Sequence, residues 1–221
     1  MNITKTFFIL LAIAFNIVSM DTLITSPSSN AKTLQTYENC IQEYVQNTPT
    51  TVSSDRKVWI DSALSYINTQ DSILEIGSAL GRDANYIESQ GYKVKRTDAT
   101  KNFIKLLQQH GYEATLLNIL TDNLGGPYDM VFASAVLIHL NPEEFKKCLS
   151  KMYNSLQHEG ILAFSVKQGT GEEWSEREIG GPRYFCYWLP NDLQELLLKN
   201  KFKIIDIKLN NQWIFVITKK I

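Results

Sequence analysis

The chain has 221 residues, of which 44% are hydrophobic and 20% are charged, and its formal net charge at pH 7 is −1. This length supports one α/β core but not two substantial domains. The near-neutral charge argues against a broad nucleic-acid-binding surface. The three cysteines are far apart in the sequence and form no Cys-x-x-Cys or Cys/His pair. We therefore expect neither a metal site nor a disulfide framework.

The N-terminal segment differs in character from the rest of the chain. Phe7 to Val18 is apolar except for Asn16, and a polar leader follows it. Its length fits the apolar region of a signal peptide and is shorter than the ~20 residues that span a bilayer. Three interpretations stay open: an exported protein, an N-terminal membrane anchor, or an extension of a cytoplasmic protein whose translation starts near Met20. We predict a signal-peptide-like segment and leader over residues 1–35 and one continuous domain over 36–221.

The rest of the sequence alternates helix-like and strand-like patterns. Helical spacing begins at Thr36 and resumes after Ser54, and Pro142 follows a capping asparagine at the start of a later helix. This alternation predicts a doubly wound, mainly parallel α/β sheet that ends in a β-hairpin. The predicted strands are Ile73–Ile76, Lys93–Thr97, Glu113–Asn118, Met130–Ala133, Ile161–Val166, Phe202–Leu209 and Trp213–Thr218, and Lys167–Leu189 is predicted to be a long irregular segment.

A glycine loop follows the first predicted strand. The sequence from Glu75 to Asp83 reads EIGSALGRD. A dinucleotide-binding G-x-G-x-x-G motif that starts at Gly77 would need glycine at Ala79 and at Arg82, so two of its three glycines are absent. The loop resembles instead the first motif, E-x-G-x-G-x-G, of class I S-adenosylmethionine-dependent methyltransferases. Ala79 stands in place of the middle glycine of that motif.

Four further stretches extend this resemblance over roughly residues 37–207. They are GRDA at 81–84, TDA at 97–99, GPYD at 126–129 and RYFxY at 183–187, and they look like a bacterial subgroup of type 11 methyltransferases. The resemblance implies a seven-stranded Rossmann-like sheet with an antiparallel C-terminal strand. It also implies S-adenosyl-L-methionine as cofactor and methyl transfer by direct displacement, without a metal, to an unidentified and small acceptor molecule.

Open α/β sheets bind ligands at the carboxyl ends of their strands, so we expect the cofactor there. Gly77 and Gly81 let the backbone turn tightly and approach the methionine part of the cofactor. Asp98 ends the second strand, where a carboxylate can accept hydrogen bonds from both ribose hydroxyls. The resemblance implies that Glu75 orders the loop and reaches the amino group of the ligand.

The resemblance assigns four more residues to the cofactor. Asn118 stands where the family usually has an acid that accepts a hydrogen bond from the adenine amino group, and an amide oxygen can also accept it. Ile119 would flank the adenine or simply belong to the core. Ser134 follows the fourth strand, near the methionine end. An N-terminal aromatic helix closes over the cofactor in such enzymes, which implies a lid role for Tyr37 or Tyr44.

The candidate catalytic residues are His139, Tyr184 and Tyr187. His139 is a candidate general base because histidine titrates near neutrality, although a structural role is the alternative. A connection as long as residues 167–189 is typical of a binding loop, in which Tyr184 or Tyr187 could orient a nucleophile and Arg183 could pair with an anionic substrate. Packing of the loop aromatics on the sheet is the other interpretation.

Two other function classes stay open. An NAD(P)-dependent reductase could use a similar sheet, but the missing glycines and the absence of a Tyr-x-x-x-Lys pair disfavour it. A non-catalytic binding module on the same fold is the second alternative, and export of the chain would favour it. The expected partners are a small-molecule substrate and, through the N-terminal segment, a membrane; nucleic acid is not expected.

Overall fold

The computed structural model describes residues 28–221 of the chain. The predicted signal-peptide-like run therefore lies outside the described residues. Among residues 28–221 no helix is long and apolar enough to cross a membrane. The helices are α1 (Ser29–Asn39), α2 (Ile41–Asn47), α3 (Ser54–Leu64), α4 (Arg82–Ser89), α5 (Lys101–Gln109), α6 (Pro142–Ser155) and α7 (Pro190–Lys199). The strands are β1 (Ser72–Ile76), β2 (Lys93–Asp98), β3 (Ala114–Leu116), β4 (Tyr128–Ser134), β5 (Leu156–Lys167), β6 (Glu172–Ser175), β7 (Arg183–Cys186), β8 (Phe202–Asn210) and β9 (Trp213–Lys220).

Seven strands form one sheet in the order β3-β2-β1-β4-β5-β9-β8. Strands β1 to β5 are parallel, and β9 lies antiparallel between β5 and β8. The sheet confirms the predicted α/β fold class, its seven strands and its antiparallel C-terminal strand. The order reverses between β1 and β4, and such a switch point creates a crevice at the carboxyl ends of the strands.

Helices cover both faces of the sheet because its central strands are apolar on both sides. Along β4, Val131 and Ala133 join a cluster with Phe145 of α6, whereas Met130 and Phe132 join a second cluster with Trp59 of α3. This alternation follows from the two-residue period of a strand. A short 3-10 helix, Leu137–His139, follows β4 and leads to α6, where Asn141 and Glu144 form a capping box.

Two segments differ from the prediction. Helix α1 begins at Ser29 rather than at Thr36, with Ser28 as its N-cap; the buried residues of α1 are the polar Thr33 and Thr36, so no apolar stripe marked it. The segment predicted to be irregular contains the antiparallel pair β6–β7. All four residues of β7 are buried beneath α1, although the sequence of β6 is too polar to indicate a strand.

Candidate functional site

A cavity of about 370 Å³ opens at the carboxyl edge of the parallel strands, between the sheet, α1 and β7. The structure brings most of the sequence-predicted site residues to this one cavity. Those that line it are Tyr44, Glu75, Gly77, Asp98, Asn118, Ile119, Ser134 and His139. Gly81, Tyr184 and Tyr187 are not among its lining residues. The cavity is of the size typical of sites for small molecules and cofactors.

Asp98 fixes the loop that follows β1. Its Oδ2 accepts a hydrogen bond from the backbone N–H of Ala79 at 2.9 Å, and its Oδ1 accepts one from the N–H of Thr100 at 2.8 Å. Gly77 and Ala79 have φ values of +75° and +46°, so the loop is in the left-handed region at both positions. Burial raises the pKa of Asp98 to about 6. Each carboxylate oxygen keeps a free lone pair for a ligand hydroxyl.

Glu75 is a buried carboxyl beside the same loop. Its side chain is 2% exposed and accepts a hydrogen bond from the hydroxyl of Ser78. Burial is the main cause that raises its pKa to about 8; the hydrogen bond from Ser78 opposes this shift, and the charge of Asp83 adds to it. Glu75 is therefore mostly protonated at pH 7, and a cationic ligand group would favour its charged form.

Asp83 lies in the first turn of α4, two residues after the last glycine of the motif. Arg82 Nε donates to its Oδ1 at 2.7 Å, and Arg56 donates to its Oδ2 at 3.1 Å and also to the hydroxyl of Ser134. Burial alone would raise the pKa of Asp83, but these two guanidinium groups hold it below its ordinary value. Asp83 and the two arginines form the floor of the cavity. Arg56 belongs to no sequence motif, so the sequence analysis did not identify it.

Gly81 lies behind the loop and does not line the cavity, unlike the other predicted glycine, Gly77. It precedes α4 with φ of +76°, and a Cβ atom there would lie 2.9 Å from Leu107 Cδ2. Its N–H donates to the carbonyl of Ser78 at 2.7 Å. Glycine is needed here because α4 and α5 must pack closely under the loop.

The opposite wall consists of Asn118, Ile119 and an aromatic group. The Asn118 amide donates to Asn30 Oδ1 of α1 at 3.0 Å, and its Oδ1 accepts from the N–H of Leu120 at 3.0 Å. The ring of Tyr44 packs edge-on to Phe103 at 5.0 Å between ring centres. Helix α1 is therefore tied to the end of β3 directly over the cavity.

His139 is locked in one tautomer. Its Nδ1 lies 2.7 Å from the carbonyl oxygen of Tyr184, which can only accept, so Nδ1 carries the proton. Its Nε2 therefore accepts the hydroxyl hydrogen of Tyr37 at 2.9 Å. Burial lowers the pKa of His139 to about 4, and the charges of Arg183 and Lys167 act in the same direction. A histidine with so low a pKa is a weak base, and its accepting nitrogen is already used.

We expect His139 to remain neutral, with its proton on Nδ1, throughout the range from about pH 5.5 to pH 8, because protonation would place a charge in a buried site. Nitrogen-15 NMR of the labelled protein reports this directly, and loss of the signal in His139→Gln assigns it. A protonation midpoint near 6.5, or a proton on Nε2, would contradict the geometry.

Tyr184 and Tyr187, predicted to orient a nucleophile, do not reach the cavity. Side chains alternate along β7, so Arg183 and Phe185 face the cavity and Tyr184 packs on the other side, 5.7 Å from the ring of Trp174. The hydroxyl of Tyr187 donates to Glu173 at 2.6 Å. Neither tyrosine lines the cavity, so the geometry does not favour their predicted catalytic role.

Sequence reasoning also missed Lys167, Phe185 and Trp213, which line the cavity beside Arg183. The sequence could have indicated Lys167, because this residue stands at the carboxyl end of the fifth strand. Within residues 28–221 no group of three or more His, Cys, Asp or Glu side chains is arranged to hold a metal ion.

Residues 74–162 match the family model of a methyltransferase domain. These residues run from β1 through the glycine loop, Asp98 and His139 to β5, which is the part of the chain that builds the cavity floor. The matched part of the chain is similar to a methyltransferase domain, as the glycine loop and the strand ends predict.

Two solved structures show the same fold at low sequence identity. The Burkholderia thailandensis 1,6-didemethyltoxoflavin-N1-methyltransferase, solved with 1,6-didemethyltoxoflavin and S-adenosylhomocysteine, is 16% identical with a TM-score of 0.65, covering 89% of this chain and 91% of that one. The magnesium protoporphyrin IX methyltransferase of Synechocystis PCC 6803, solved with S-adenosylmethionine, is 14% identical with a TM-score of 0.67, covering 89% and 99%. This likeness concerns the fold of the methyltransferase domain.

A curated relative is the carboxy-S-adenosyl-L-methionine synthase of Psychrobacter sp. (strain PRwf-1). It is 29% identical over 101 residues, which are 44% of this chain and 36% of that protein. The match thus spans little more than a third of the relative's length.

Proposed function

We propose that this protein is an S-adenosyl-L-methionine-dependent methyltransferase that acts on a small molecule. The observation that carries the proposal is the position of Asp98, a buried carboxylate that holds the glycine loop and also faces the cavity. Glu75 supplies a second carboxyl for the cationic amino end of the ligand, while Asn118 and Ile119 stand at the adenine end. The family match and the folds of cofactor-bound methyltransferases support this assignment.

The cofactor supplies a methyl group on a sulfonium, which an acceptor atom takes by in-line displacement. The residues of this chain bind, orient and exclude water, which is where catalysis of such a step comes from. Asp98 and Glu75 orient the ligand at one end of the cavity. Tyr37 and His139 form a neutral hydrogen-bonded pair in its wall and hold α1 against the 3-10 helix.

A small acceptor is supported by the closure of the cavity. Thr36 of α1 donates to the carbonyl of Pro182 at 2.7 Å, and the N–H of Tyr184 donates to Thr33 at 3.0 Å, so α1 covers the side that a macromolecule would need. We further propose that α1, which begins at Ser29, belongs to the catalytic domain, so that this domain includes residues before the boundary predicted at residue 36.

Titration calorimetry with S-adenosylhomocysteine tests the proposal. We expect one binding site per chain and no heat with NADH under the same conditions. Binding of NADH instead would support the reductase alternative, and absence of S-adenosylhomocysteine binding to folded protein would refute the methyltransferase assignment.

A further inference from the structure

The end of the cavity between β5, β7 and the start of β9 contains two cationic side chains, Lys167 and Arg183. Lys167 is the last residue of β5 and pairs in register with Trp213. Its Nζ lies 5.0 Å from the centre of the Phe185 ring and 5.7 Å from that of the Trp213 ring. Within residues 28–221 no carboxylate forms an ion pair with Lys167.

Arg183 is a buried cation with incomplete compensation. Its residue is 4% exposed, and its Nε has no hydrogen-bond partner within the described part of the chain. One terminal nitrogen donates to the carbonyl of Arg177, and the other donates to the Tyr37 hydroxyl at 3.4 Å. Its ion-pair partner, Glu178, lies 3.8 Å away with its side chain 72% exposed. Burial of a charge is costly unless it is paired and hydrogen-bonded, and within residues 28–221 the one carboxylate that pairs with this guanidinium is the exposed Glu178.

Charge is distributed unevenly along the cavity. The two other arginines in its wall, Arg56 and Arg82, both bind Asp83 and are neutralised there. Of the other acids in the cavity wall, Glu75 and Asp98 are buried beside the glycine loop, and Glu178 is exposed and pairs with Arg183. The carboxyl end of β5 and the facing strand β7 therefore present positive charge next to two aromatic rings.

We propose that Lys167 and Arg183 form an anion-binding subsite that takes the carboxylate of the methyl acceptor, so that the substrate is a small organic acid. A guanidinium donates strong charge-assisted hydrogen bonds to a carboxylate, and an ammonium adds charge with less geometric demand. Phe185 and Trp213 provide apolar surface for the carbon skeleton of the acid. The inference rests on the proposed function, because it assigns the acceptor part of the same cavity.

The test uses the full chain saturated with S-adenosylhomocysteine and two matched pairs of probes, benzoate with benzamide and acetate with acetamide. Calorimetry and thermal shift measure the binding of each probe. We expect at least one carboxylate to bind about tenfold more tightly than its amide. Arg183→Gln and Lys167→Gln should each remove this preference. Lys203→Gln, a change at an exposed residue of β8, is the control and should keep it.

The outcomes separate this inference from the proposed function. If S-adenosylhomocysteine binds but every acid and its amide bind equally, or none binds, the anion subsite is refuted and the methyltransferase proposal stands. If S-adenosylhomocysteine itself fails to bind, the proposed function is refuted. If the Arg183→Gln variant does not fold, the Lys167→Gln variant provides the test. If that variant keeps the full preference for the carboxylate, the subsite shared by the two residues is refuted.

Discussion

Replacement of Asp98 by asparagine is expected to weaken S-adenosylhomocysteine binding about 100-fold, because two charge-assisted hydrogen bonds to ligand hydroxyls would be lost. The substitution also changes the loop. Asp98 accepts from the N–H groups of Ala79 and Thr100 on its two oxygens, and an asparagine amide would turn an NH2 group toward one of these donors. Calorimetry gives the affinity, and circular dichroism verifies that the sheet is intact.

Asp192→Asn provides the matched control for Asp98→Asn. Asp192 is exposed in the first turn of α7, away from the cavity, and its substitution should leave the affinity unchanged. An Asp98→Asn variant that folds normally and binds within about threefold of the unaltered protein would remove Asp98 from the ligand site, since such a difference is under 1 kcal/mol.

Glu75 is expected to make ligand binding depend on pH. Its pKa in the free protein is about 8, so a proton must leave before the carboxylate can bind the ammonium group of the ligand. The affinity should therefore rise roughly tenfold between about pH 6.5 and pH 8, because each unit of pKa corresponds to about 1.4 kcal/mol. Asp98 has a pKa of about 6, so its own effect on the pH dependence of the affinity falls at the lower end of the range from pH 6.5 to pH 8.

The stability of the free protein should change in the opposite direction. The folded-state pKa of Glu75 is above its unfolded value, so the folded protein holds the proton up to about pH 8 while the unfolded chain does not. The free energy of unfolding therefore falls as pH rises between about 6.5 and 8, by up to about 1.4 kcal/mol per unit. His139 does not oppose this trend, since its contribution is lost only below about pH 6.5.

Glu75→Gln isolates this effect, because glutamine keeps the shape of the neutral side chain. We expect its affinity to be about tenfold weaker than that of the unaltered protein at pH 8, and neither its affinity nor its stability to vary over the window. Glu195→Gln, in an exposed ion pair with Lys199, serves as control. The same pH slope in Glu75→Gln as in the unaltered protein would show that another group titrates.

The fold and the cofactor end of the cavity could be predicted from local sequence. Short strand-like segments between helix patterns identified the parallel strands, and their carboxyl ends meet at one edge of such a sheet. Finding the strands was enough to bring four residues of the cavity together, because each lies at the end of a strand or just after it. These residues are Glu75, Gly77, Asp98 and Asn118. Ala79 kept the left-handed geometry of a motif glycine, which the loop requires.

The other end of the cavity, around Tyr37, His139 and β7, depends on contacts between distant segments. Tyr37 and His139 are 102 residues apart and meet only because α1 lies across β7 and the 3-10 helix. The side chains of β7 that face the cavity are set by the pairing of β7 with β6. Strand β6 is charged and shows no alternation of apolar residues, so the sequence did not indicate this pairing. For this reason the tyrosines of residues 184 and 187 were assigned to the site, and Lys167 and Phe185 were not.

The amino-acid sequence by itself determined the doubly wound sheet, the glycine loop and the strand-end residues that line the cavity, because hydrophobic periodicity and strand ends are local properties. The tertiary structure alone decided which charges line the rest of the cavity. A side chain on a covering helix or a short strand is directed by the element packed against it, and the pKa values of Glu75 and His139 follow from burial, which arises only when the chain is folded.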